Sequence, residues 1–405
     1  MVTRRSVLKG VVGATALSVP VVRGLGGTMA QDASPVASPG AGIPGVPEGE
    51  IVLASGLMSP RYLAVAEDGI VYVTEAGVGG DEELFLPAEG TPEASPTPQA
   101  PFASRGLTGQ VSRIAPDGTV TVAASGLPSY VLVGEGETGP SGIVLSDGLI
   151  LLSIGGSVLA AEPLMYENSV VSIDKATGEV TLLAGIGEYE VANNPDTFVV
   201  GSNLYGMDIG IDGRLHVADA GGNAVYHVDP ATGEFDVLAV LPGIEIPAEM
   251  APPGGNPTRG GANEIDPVPS GVAANPAGGA FVSLVTGGPF PPGAAKIHAV
   301  AEDGTVTDAG VGLTMCTDVA IGPDGHMYAV QLSLNFIAGP PEPGNVVRVL
   351  ENGTLEPVVE GLMLPNGIAF DPAGNLFITA GTTSPPGMGP IGTVLRVDGV
   401  APPAA

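Results

Sequence analysis

Residues 203–222 read NLYGMDIGIDGRLHVADAGG, two alternating apolar runs folded about Asp212-Gly213 and stopped by a glycine pair. The alternation has the period of a half-buried strand, and the Asp-Gly centre tolerates the positive φ that a tight hairpin turn needs. The same pattern recurs five more times: SPRYLAVAEDGIVYVTEAG (59–77), GPSGIVLSDGLILLSIGG (139–156), VPSGVAANPAGGAFVSLVTG (268–287), CTDVAIGPDGHMYAVQLSLN (316–335) and LPNGIAFDPAGNLFITAG (364–381). Behind each of the first five in chain order runs a second hairpin, such as AVYHVDPATGEFDVLAV (224–240), so each pair makes a four-stranded blade. The sixth is followed only by GTVLRVDGV (392–400) and lacks one strand. A match for that strand stands at the other end of the chain, EIVLASG (50–56), which is similar to the closing strands VTVAASG and LEPVVEG. The fold expected is all-β: a six-bladed β-propeller of four-stranded blades, closed by an N-terminal strand, which leaves no long open sheet edge.

Composition agrees with this architecture and narrows the partners. The 405 residues include 63 Gly, 40 Pro and no Trp, with 13 basic against 43 acidic side chains for a net charge of −30. A surface of that sign repels phosphate backbones and anionic lipid heads, so nucleic acid and membrane surfaces are not expected partners. A small molecule or a peptide is the partner expected, with the chain a monomer. The single Cys316 excludes an intramolecular disulfide.

The opening MVTRRSVLKGVVGATALSVPVV places Arg4-Arg5 before Ser6, Val7, Leu8 and Lys9 and then a short apolar stretch. This resembles a twin-arginine export signal, with Val7 where Phe is commoner and a small-residue cleavage site at Thr28-Met29-Ala30. The apolar stretch is shorter than the about 20 residues that span a bilayer. The expected organisation is a signal peptide over 1–30, a Pro/Ala/Ser/Gly-rich linker over 31–48, the propeller over 49–400 and a tail over 401–405. The location implied is periplasmic or extracellular.

All strand-one to strand-two turns fall on one face and are short. The opposite face carries the long connections 77–108, 187–203, 242–268, 287–294 and 333–344, and irregular loops on a rigid scaffold are where binding residues gather. Stacking the six repeats gives the column Arg61, Ser141, Tyr205, Ser270, Thr317 and Asn366 at the starts of strand one. At the ends of strand two the column reads Glu75, Ile154, Asp219, Leu284, Gln331 and Ala380. The candidate ligand-binding set on this face is therefore Arg61, Glu75, Asn203, Tyr205, Asp219, Asn223, Asp318 and Asn366. The same polar groups have a second possible use, satisfying buried loop amides. His216 shares its column with Tyr72, Leu151, Phe281, Tyr328 and Phe377 and reads as a packing residue. No catalytic residue is assigned.

At SNLYGMDIG (202–210), LHVADAGGNAV (215–225), VPSGVA (268–273), GGPFPPGAAKI (287–297) and NNPD (193–196), the body resembles the ScyD/ScyE-like family of exported proteins. The resemblance covers about residues 50–400, with Leu204 in place of the usual Pro and Gly288 where the family has more bulk. It implies an exported propeller and no established reaction. The stretch LPNGIAFDPAGNLF (364–377) is also similar to gluconolactonase-type propellers, which hold a divalent cation with Glu, Asn, Asn and Asp. The equivalent columns here offer Asn366 but Arg61, Tyr205 and Thr317, with Asp318 and Asn203 one or two positions away. A metal-dependent lactonase-type hydrolase and a protein- or peptide-binding scaffold without chemistry are the alternative readings; the cofactor is unknown, with a divalent cation as the candidate under the first of them.

Overall fold

The structure, a computed structural model, describes residues 49–85, 101–133, 136–156, 162–336, 341–383 and 390–403. The twin-arginine segment and the linker lie outside the described residues. Among the described residues six antiparallel sheets of four or more strands follow one another along the chain, with a two-stranded one, Ile244–Glu245 and Glu264–Ile265, in the connection between the third and the fourth. Blade three consists of Leu204–Ile209, Leu215–Asp219, Ala224–Val228 and Phe235–Val240, each strand pairing with the next. Blades two (Pro140–Ala184), four (Pro269–Leu313) and five (Cys316–Leu362) repeat that order. Blade six is Ile368–Phe370, Leu376–Ala380 and Gly392–Val397, completed by Ile51–Leu57 from the start of the described chain. Ile51 lies opposite Arg396, Ala54 opposite Val394 and Leu57 opposite Gly392. The strand expected to close the ring does so.

The hairpin turns form as their residues require. At Asp212-Gly213 the Asp212 carboxylate accepts the Arg214 amide at 3.0 Å, and Gly213 takes φ 81°. Packing between blades is set by a second glycine column. A Cβ on Gly206 would lie 2.5 Å from the carbonyl oxygen of Ser270, and one on Gly367 2.5 Å from that of Arg61, so the innermost strands of neighbouring blades touch backbone to backbone. The core lies in the layers between blades. Ala218, Val225 and Leu238 of blade three pack on Val272, Val282 and Val300 of blade four. Ala54, Leu57, Phe377 and Val394 of blade six pack on Leu63, Val71, Val73 and Ile114 of blade one, which closes the ring.

Blade one departs from the expected plan. Its outer hairpin extends to Ala103–Ile114 and Val120–Leu132 and is widened by Glu82–Leu84 and Gly136–Thr138, so part of the expected loop 77–108 is sheet. Inside the expected loop 187–203, Ile186–Asn193 forms a two-turn helix that stops at Asn194 in the left-handed region. Among the described residues no helix is long and apolar enough to cross a membrane.

Candidate functional site

Strand one of each blade starts at the channel mouth on the long-loop face. Three residues of that column meet there. Arg61 Nη1 donates to the Tyr205 hydroxyl at 3.1 Å and lies 3.5 Å from Asn366 Oδ1, and its guanidinium sits 5.6 Å from the Tyr205 ring centre. Arg61 Nη2 donates to the carbonyl of Glu137, in the strand Gly136–Thr138 that extends blade one. Thr138 Oγ1 donates to Asn203 Oδ1 at 2.7 Å, bringing Asn203 to the same strand. Every hydrogen-bond partner of Arg61 among the described residues is neutral, although the residue is only 7% exposed. Among the described residues no carboxylate lies within 4.0 Å of it.

Two bulky residues interrupt the glycine column below this mouth. Tyr62 stands where blades two, three, four and six have glycine, and its hydroxyl donates to the Thr317 carbonyl at 2.8 Å while its ring meets that of Tyr205 edge-on at 6.3 Å. Burial holds its phenol well above the usual range. Asp318 is the other exception, and the structure does not bring it into the Arg61 group. Its Oδ1 accepts the Val319 amide and its Oδ2 the Ile368 amide of blade six, both at 2.9 Å. Burial raises its carboxyl well above the carboxylate range, with Asp208 adding to the rise. Asp318 ties blade five to blade six.

Glu75 and Asp219 also stand apart from Arg61. Glu75 accepts the Met58 amide at 2.6 Å and the Gln110 amide at 2.8 Å. Asp219 Oδ1 accepts the amides of Asn203, Gly221 and Gly222 at 2.7, 3.1 and 3.0 Å, and its Oδ2 accepts Ser202 Oγ at 2.8 Å. Gln331 holds the Thr314 amide at 2.6 Å in the same way. The polar members of this column in blades one, three and five therefore fasten the turn that leads into strand one of their own blade. That is why the DAGG turn keeps its Asp. Asn223, at φ 52°, donates to Asp196 Oδ2 at 3.0 Å, and its Oδ1 lies 3.4 Å from the Val268 amide, joining the two long loops beside blade three. Beneath them Glu190 of the short helix is fully buried; burial, with Asp219 beside it, pushes its carboxyl up to about 8.

The chain superposes on several solved structures at low sequence identity. No protein-family model matches the chain, and no curated protein matches it in sequence. A structural genomics protein of unknown function from Bacteroides thetaiotaomicron superposes with a TM-score of 0.50 at 11% identity, over 86% of this chain and 72% of that one. A putative gluconolactonase gives 0.48 at 11% identity, covering 87% and 93%. Virginiamycin B lyase from Staphylococcus aureus gives 0.44 at 13%, covering 86% and 98%. At these identities the likeness concerns the fold alone.

The mouth does not fit the divalent cation of the gluconolactonase-type site. Asn366 Oδ1, the oxygen a cation would take, faces the Arg61 guanidinium. Among the described residues no three His, Cys, Asp or Glu side chains gather as a metal-binding group. His216 behaves as a packing residue: its Nε2 lies 2.9 Å from that of His227, and burial lowers its pKa to about 4. A cleft of about 640 Å³ opens on the short-turn face between blades four and five, lined by Phe281, Ile321, Met327 and Val349. Its polar members, His326, Glu351 and Asn352, are exposed turn residues that converge on nothing.

Proposed function

We propose that the chain is an exported, ScyD/ScyE-like propeller that binds a small polar or aromatic ligand at the long-loop mouth of its channel, on Arg61, Tyr205 and Asn366, with Asn203 at the rim. The observation that carries the reading is a buried guanidinium held, among the described residues, by neutral acceptors drawn from separate blades. A scaffold with no ligand gains nothing from such a group, whereas a binding site uses a few convergent polar groups among aromatic walls. Glu75, Asp219, Asn223 and Asp318 support the site by fixing its turns and blade contacts.

The test is native mass spectrometry of the full chain recovered from its exporting host, beside a Tyr205→Phe, Asn366→Ala variant. A retained small-molecule mass that disappears in the variant is expected. A clean apo mass in both, with no thermal shift in a metabolite screen, would put the peptide-binding scaffold first. Export rests on Arg4-Arg5. Replacing both with Lys is expected to leave folded protein in the cytoplasm, and undiminished export would count against the twin-arginine route.

A further inference from the structure

Four buried side-chain atoms at the adjoining tops of blades one and six have no hydrogen-bond partner among the described residues: Ser59 Oγ, Arg61 Nε, Asn366 Nδ2 and Thr382 Oγ1. All four are donors, and their residues are 1%, 7%, 1% and 3% exposed. The two blades are in contact here, since Thr379 Oγ1 donates to the Arg61 carbonyl at 2.5 Å and Arg61 Nη1 approaches Asn366 Oδ1. Buried donors are almost always paired, so a group of unpaired ones marks the place of an acceptor. Bulk water does not reach these atoms as the chain stands, so an acceptor takes them up only as the two blade tops part to admit it.

The charge balance says which acceptor. A guanidinium stays protonated throughout the physiological range, and the hydrogen-bond partners of this one among the described residues carry no negative charge on the atoms that meet it. An anion restores the balance and takes the spare donors together. The chain's net charge of −30 sets up a field that disfavours multiply charged anions over singly charged ones. A planar carboxylate offers two oxygens on one charge, matching an Nε–H and an amide N–H as a bidentate pair. Tyr205 and Tyr62, edge to face beside Arg61, supply an aromatic wall for the body of the ligand.

We infer that the mouth ligand is a small organic monocarboxylate whose carboxylate oxygens lodge on Arg61 Nε and Asn366 Nδ2, with the hydroxyls of Ser59 and Thr382 completing the set. This rests on the mouth site proposed above. The test is calorimetric titration of the full chain at neutral pH with benzoate and with benzamide, which has the same shape and no charge. The titration is repeated on Asn366→Asp, which places a carboxylate of the protein's own beside Arg61. Benzoate is expected to bind, benzamide to bind at least about tenfold more weakly, and Asn366→Asp to lose benzoate by at least about tenfold. Circular dichroism checks the fold of that variant, and Asn366→Ala replaces it in the same titration if it does not fold. Equal binding of benzamide overturns the carboxylate assignment and leaves the mouth site standing. Benzoate binding that ignores position 366 places the anion elsewhere and overturns it. No binding of either probe to the wild type also overturns it, with ordered water as the acceptor; the mouth reading then stands or falls on the retained-mass experiment.

Discussion

Asp219 and Asn223 of blade three and Arg61 and Asn366 at the junction of blades one and six present polar side chains to the same face of the ring, yet they are bonded in opposite ways; beside Asp219, Glu190 Oε2 and the Tyr226 hydroxyl also lack a partner among the described residues. Asp219 takes four donors on two oxygens, and Asn223 reaches two loops at once. Arg61 and Asn366, equally buried, keep donors with no acceptor. Saturation is the signature of a scaffold, because an unmade bond in low dielectric costs more than a made one returns. The difference teaches that a polar column at a channel mouth divides by hydrogen-bond balance rather than by residue type.

The largest effect breaks both regions together. Deleting residues 49–57 removes the strand beside Gly392–Val397 and takes Ala54 and Leu57 from the layer between blades six and one. Urea titration followed by circular dichroism is expected to show no cooperative transition; a transition of native steepness would mean that neither region depends on ring closure. The next effect separates them. Asp219→Ala strands three amides and a hydroxyl and is expected to cost about 3 kcal/mol, whereas Asn366→Ala removes one weak bond and is expected to cost about 1 kcal/mol or less. The reverse order in urea midpoints would overturn the division.

The ring was legible because it is periodic: Asp-Gly turns, alternation of period two and the displaced strand at 51–57 are all local patterns. Arg61, Tyr205 and Asn366, which share one column of the repeat, meet in the structure. What a column does not carry is direction of bonding. Glu75 and Asp219 share the face with Arg61, but each side chain turns back to its own blade's incoming amide, and only the geometry distinguishes that from a site. Tyr62 does carry a signal in the sequence, as a bulky residue in a column of glycines. Thr138 and Glu190 carried none, since they belong to the non-repeating extension of blade one and to the short helix, where no other blade offers a comparison.

Glu190 sharpens the contrast on the scaffold side. Burial, with Asp219 second, raises its carboxyl from 4.5 to about 8, so the folded chain holds a proton that the unfolded chain releases. Its contribution is fully present below about pH 4.5 and is lost as pH climbs towards 8. Glu190→Gln keeps the shape and removes the titration. Urea midpoints of the variant are expected to fall less than those of the wild type between pH 6 and about 8. Equal slopes would mean that the carboxyl is not held protonated beneath the loops.

The smallest effect lies on the opposite side of neutrality, in a buried histidine of the same blade as Asp219. His216 is fully buried, and its folded pKa of about 4 is depressed from 6.5 by burial, with His227 adding to the drop. A depressed histidine contributes stability that is present above about 6.5 and is lost as pH falls towards 4, because the unfolded chain takes up a proton that the core refuses. Phe281 and Phe377 occupy the same column in blades four and six, so His216→Phe fits the packing and leaves only His227 Nε2 without its partner. Stability at pH 7 is expected to change by no more than about 1 kcal/mol. The fall in Tm between pH 7 and pH 4.5 is expected to shrink without vanishing, since burial also lowers His227 and His298. A variant whose Tm falls as steeply as the wild type's would show that His216 takes up its proton as readily in the folded chain as in the unfolded one.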